Sequence, residues 1–139
     1  MGKTVIPYRR ALDKYAKTAA RKLNATAVVV FGSAARGSFG VGSDLDVAVI
    51  APDLPPSFLE RLRILNELNP TNAPIEAVGY TPSEFERMID RRHPTALFVL
   101  EDGVPLKGAK YIHQLRGKLR ELKKQWHLVR VDAGWDIQP

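Results

Sequence analysis

Apolar positions follow two rhythms along this chain. From Tyr8 to Leu23 they recur every three or four residues, at Leu12, Tyr15, Ala16, Ala19 and Leu23. That spacing lines one face of a helix, and Asn24 is a suitable residue to end it. Residues 27–31 (AVVVF) and 45–50 (LDVAVI) are short and rich in β-branched side chains, as buried strands are. Pro52, Pro55 and Pro56 then break the chain, and Ser57 is placed to cap a helix over 58–68. A loop by composition, 69–74, leads to a third strand at 75–80. Thr81-Pro82-Ser83-Glu84 has the form of a capping box with proline in the first turn. The helix it opens reaches about Arg92, before Pro94. Thr95–Leu100 reads as helix, and 103–106, with its proline, as a short edge strand. Residues 109–125 form a basic amphipathic helix with Ile112, Leu115, Leu119 and Leu122 on one side. Leu128–Val131 is strand-like, ahead of a polar finish.

Helix, strand, strand, helix, strand, helix is an α/β (α+β) order, and it predicts a small mixed β-sheet flanked by helices. A length of 139 residues suits one domain, taken as 1–125, with 126–139 as a tail packed on it or at an interface. Cysteine is absent, which removes disulfides and thiolate metal sites. No apolar run approaches the length of a membrane span, so the expectation is a cytoplasmic protein without membrane attachment.

Charge is unevenly spread. Residues 1–26 carry seven Lys and Arg against one acid, and 107–139 carry eight against three, whereas 27–106 hold six against eleven. An acidic centre between basic ends, with a net charge of +6, suits a phosphate-rich ligand such as a nucleotide, and nucleic acid is allowed but not required. Lys118, Lys123 and Lys124 give the last helix a candidate partner surface. Solvated helix faces explain the same charges without any ligand. His93 reads as a helix C-terminal cap or a surface residue. The Gly2-Lys3-Thr4 triplet lacks the glycines and strand of a phosphate loop.

The chemistry concentrates between the first two strands, in FGSAARGSFGVGSDLDVAVI from Phe31 to Ile50. Asp44 and Asp46 are two apart, so a strand turns both to one face. Carboxylates that close repel, and a shared cation lets both stay ionised. Gly32 lets backbone amides approach phosphate oxygens that a Cβ would obstruct. Ser33 can donate its hydroxyl and amide, Arg36 can reach a triphosphate, and Ser43 can cap the turn before Asp44.

Gly-Ser, ten residues, then Asp-x-Asp, with strands on either side, resembles the signature of the DNA polymerase beta nucleotidyltransferase superfamily. The whole chain is similar to its minimal, MNT-type members. The resemblance implies a third acid on the strand after the helix, where this chain has Glu76. It implies two Mg²⁺ ions on Asp44, Asp46 and Glu76, roughly 3.5–4 Å apart, and nucleotide contacts from Gly32, Ser33, Arg36 and Ser43. The implied reaction moves a nucleoside monophosphate, AMP from ATP in the leading reading, to an acceptor hydroxyl. The implied acceptor is a small helical HEPN-type protein, with this chain as antitoxin of a toxin–antitoxin pair. Two alternatives stand beside it: a non-catalytic module that binds a nucleotide or a partner, and the catalytic subunit of a small-molecule or RNA nucleotidyltransferase.

Overall fold

The computed structural model describes residues 5–40, 42–131 and 134–138; the Gly2-Lys3-Thr4 triplet and three residues of the tail lie outside them. Helix α1 (Arg9–Leu23) leads into β1 (Ala27–Phe31), a one-turn helix α2 (Gly32–Arg36) and β2 (Leu45–Ile50). Then come α3 (Phe58–Glu67), β3 (Ile75–Tyr80), α4 (Pro82–Asp90), α5 (Pro94–Asp102), β4 (Val104–Lys107) and α6 (Ala109–Trp126). The chain finishes with β5 (Leu128–Val131) and β6 (Gly134–Ile137). The first four strands form one sheet in the order β3-β2-β1-β4, and the last two pair as a separate hairpin. β2 runs antiparallel to β1 and parallel to β3, and β1 is antiparallel to β4, so the sheet is mixed.

Local signals place most boundaries. Asn24 ends α1 with φ 53°, a left-handed conformation that asparagine tolerates. The Ser57 hydroxyl accepts from the Glu60 amide, and Thr81 and Glu84 make the reciprocal capping box. Pro105 sits in β4, at an edge of the sheet, where a missing N–H is tolerated.

The sheet is covered on both faces, which explains why β2 is apolar nearly throughout. Val28, Val30, Leu45, Val47 and Val49 share one cluster with Leu12, Tyr15 and Ala19 of α1 and Leu65 of α3. Ala27, Val29, Ala48 and Ile50 meet Phe85, Ile89, Leu97, Leu100, Ile112 and Leu115 on the other side. The buried Tyr15 hydroxyl donates to the Leu65 carbonyl at 2.7 Å, so its burial leaves no polar group unpaired. Arg61 is buried as well. It donates to the Pro55 and Gly79 carbonyls and grips Glu84 with Nη1 and Nη2, the shorter bond being 2.7 Å.

Two expectations change. His93 is exposed, as its surface reading has it, but it caps no C-terminus: its Nδ1 accepts from the Thr95 amide at the start of α5. The polar finish contains a strand. Gly134–Ile137 pairs with Leu128–Val131, and Trp135 packs on Phe98 with ring centroids 6.1 Å apart. Alternation in this segment is too short to announce a strand; pairing with β5 makes it one.

Candidate active site

The acids gather at one end of the sheet. In the parallel register, Asp46 of β2 lies opposite Glu76 of β3, and on its other side Asp46 faces Phe31, the last residue of β1. Residues paired in register point to the same face, so Asp46 and Glu76 continue the row that Ala48 with Val78 and Ile50 with Tyr80 begin. Asp44 lies one residue before β2 begins at Leu45, near enough to Glu76 to raise the pKa of its carboxyl group. The fold therefore brings the three predicted carboxylates together from two segments 30 residues apart.

Gly32 closes the floor. It has φ 71°, and a Cβ built on it would stand 2.2 Å from Asp46 Oδ2 and 3.1 Å from its Cγ. Only a residue without a Cβ lets β1 turn sharply while lying against that carboxylate. Ser33 follows in the first turn of α2, and its carbonyl accepts from Ser38 at 2.9 Å. Beyond Gly37, which is again left-handed, Gly40 and Ser43 exchange hydrogen bonds: the Gly40 amide donates to Ser43 Oγ, and the Ser43 amide to the Gly40 carbonyl, both at 3.1 Å. Ser43 thus caps the turn that delivers Asp44. Arg36 is exposed at the end of α2, with Nη1 3.8 Å from Asp102 Oδ2.

Electrostatics follow from this crowding. Burial, then the charge of Asp44, raises the Asp46 carboxyl above its ordinary value, and Arg36 partly offsets them. Glu76 is also raised. The neighbouring Asp44 side chain is the main cause, followed by desolvation and by the charge of Asp46. Glu76 is exposed, so the shift comes chiefly from its neighbours.

The donor set suits a hard divalent ion, since every candidate ligand is a carboxylate oxygen and no thiol or imidazole stands among them. The close seat of Asp46 against Gly32 provides a fixed wall for such an ion. Among the described residues no three acids or histidines stand close enough together, as they are, to hold a metal ion.

Two open grooves meet at Asp44. One, about 630 Å³, is lined by Tyr8, Phe39, Gly40, Gly42, Ser43 and Pro74 besides Asp44. The other, about 410 Å³, runs over Glu76, Ile75, Ala77, Leu62 and Asn66. Tyr8 and Phe39 meet edge to face at 6.2 Å in the first. Sequence reasoning passed over both aromatics, because residues 31 apart give no local sign of meeting. A third groove, between α1 and β4, shares no residue with these two.

Set against known proteins, residues 12–129 match the sequence profile of the nucleotidyltransferase domain. A solved structure described as a toxin-antitoxin with AMP-PNP has the same fold, with a TM-score of 0.53 over 84% of this chain and 92% of its own, at 19% identity. No curated protein matches the chain.

Proposed function

Because the chain belongs to the nucleotidyltransferase domain family, we propose that it is a Mg²⁺-dependent transferase moving AMP from ATP to an acceptor hydroxyl on a partner protein. The observation that carries this reading is the meeting of Asp44, Asp46 and Glu76 against the glycine turn at Gly32. Asp44, Asp46 and Glu76 would hold the cations. Bound there, Mg²⁺ would neutralise triphosphate charge as the acceptor oxygen bonds to the α-phosphorus and the α–β bond breaks, releasing pyrophosphate.

The chain's own groups would do the rest. The backbone at Gly32 can lie against phosphate oxygens, and Ser33 adds an amide and a hydroxyl. Arg36 supplies a positive charge at the rim. Ser43 keeps Asp44 in place by fixing the preceding turn. Glu76, on the strand beside Asp46, would help hold the cation next to the attacking hydroxyl or take that hydroxyl's proton. Positioning and charge stabilisation supply most of the catalysis in such a transfer.

Residues 1–125 would carry this transfer, with 126–139 as an addition packed on them. No helix among the described residues is long and apolar enough to cross a membrane. We place the chain in the cytoplasm, where ATP and Mg²⁺ are abundant. For the acceptor we favour a small helical HEPN-type toxin, with this chain as its antitoxin. The MNT-type sequence resemblance supports that choice, and so does a fold neighbour described as a toxin-antitoxin.

The test uses ATP labelled at the α-phosphate, Mg²⁺ and the helical partner. The wild-type chain should move label onto the partner. Asp46→Asn should move none while melting no lower than wild type. Normal turnover by Asp46→Asn would refute the carboxylate assignment, and a folded wild type that labels nothing would leave a binding module.

A further inference from the structure

We propose that Asp102 and Arg130 together position Arg36: Arg130 occupies the Asp102 carboxylate and so leaves the Arg36 guanidinium free for the triphosphate. The inference rests on the reading that Arg36 serves the nucleotide. It adds a control by the C-terminal hairpin, whose first strand, β5, carries Arg130.

One oxygen joins the two arginines. Asp102 Oδ2 accepts from Arg130 Nη2 at 3.0 Å, and Arg36 Nη1 lies 3.8 Å from the same atom. The first distance is a hydrogen bond; the second is an ion pair too long to be one. Asp102 ends α5, and Phe98 stands four residues earlier, so both project from the same side of that helix. They form a seat for Arg130, whose guanidinium lies 4.7 Å from the Phe98 ring centre. Its Nη1 also donates to the Val131 carbonyl, and its Nε finds no acceptor among the described residues. Trp135, on the paired strand, packs on the same Phe98. The hairpin thus holds Arg130 in a mostly buried place, 21% exposed, while Arg36 is 43% exposed.

Arg36 stands between two acids. In front is Asp46, whose carboxyl it already stabilises in the charged form. Behind is Asp102, 16% exposed and therefore a stronger attractor than a solvated carboxylate. With Arg130 seated, the second acid is largely satisfied and pulls Arg36 weakly. Without Arg130, that carboxylate would be left partly desolvated and unpaired, and Arg36 is the cation within reach to fill the vacancy. Arg36 would then turn from a ligand group into an internal counter-ion.

The consequence is a reversal that a packing role does not produce. In calorimetric titrations with Mg²⁺ and ATP, Arg130→Met should weaken binding about fivefold, the worth of one partly exposed charge contact. Adding Asp102→Asn should bring affinity back to within about twofold of wild type, because the amide no longer captures Arg36. In an Arg36→Met background both substitutions should be silent. A double variant that binds ATP more weakly than Arg130→Met would overturn the proposal, and so would unchanged affinity in a folded Arg130→Met. Should Arg130→Met fail to fold, Asp102→Asn alone decides: affinity at or above wild type supports the scheme, and a loss overturns it. If the wild-type chain binds no ATP, the nucleotide reading falls with this one; if it binds and the rescue fails, this one falls alone.

Discussion

Replacing Gly32 with alanine tests the site at its tightest point. Two separate costs arise. The residue has φ 71°, and a left-handed conformation costs an L-residue about 1–2 kcal/mol. The new methyl would also lie 2.2 Å from Asp46 Oδ2, 3.1 Å from its Cγ and 3.3 Å from its Cβ. Rotating the carboxylate removes the first contact but not the last, so β1 and β2 must also part by a few tenths of an ångström. A strained rotamer adds about 1 kcal/mol. The sum is about 2–3 kcal/mol. For 139 residues the unfolding entropy is about 0.3 kcal/mol/K, so the melting temperature should fall by about 7–10 °C. Activity should suffer more than stability, because an acid displaced by about 1 Å costs on the order of a hundredfold in rate. Melting by circular dichroism without nucleotide, and transfer of α-labelled phosphate, give the two readouts. Gly40→Ala is the control, since nothing stands within 4 Å of its would-be Cβ. Adding Asp46→Ala to Gly32→Ala should recover part of the melting temperature and none of the activity. If Gly32→Ala melts with wild type and transfers at the wild-type rate, the glycine is an ordinary turn and the floor of the pocket has been misread.

Three further outcomes are expected. Asp46→Asn should leave the ligand-free melting temperature unchanged or raise it, because burial and Asp44 both disfavour the charged form; a fall of several degrees would count against the repulsion. Mg²⁺ with ATP at a hundred times the dissociation constant should stabilise the wild-type chain by about 2.7 kcal/mol, read as a thermal shift; no shift at millimolar ATP contradicts a nucleotide site. Glu84 is held at about 2 against an ordinary 4.5, mainly by Arg61. A depressed carboxylate stabilises the fold above its unfolded pKa, so this contribution is complete above about pH 5 and is lost as pH falls from there towards 2. Glu84→Gln should flatten that part of the acid melting profile. It should cost about 2 kcal/mol at neutral pH, a figure reduced from the fully buried case because the Glu84 side chain is 36% exposed.

Much of this protein was legible in one dimension. Each helix over 58–67 and 82–90 begins at a residue whose side chain bonds the backbone three positions on, a local interaction that needs no distant partner. The two strands around Gly32 and Asp44 are marked by short runs rich in β-branched residues, and the spacing between Gly-Ser and Asp-x-Asp sets how much chain bridges them. Tertiary structure decided the rest. Whether Glu76 shares a face with Asp46 depends on the register of two parallel strands joined by a helix. A slip of one residue would have turned it to the opposite face, and no local signal sets that register. The Arg61–Glu84 pair spans 23 residues, and the oxygen of Asp102 joins positions 36 and 130. The final strand exists because β5 offers it a partner. Caps and periodicities act over one or two turns and can be read directly. A carboxylate's neighbours, and therefore its charge and its use, are set by chain segments that meet only when the sheet and its covering helices have packed.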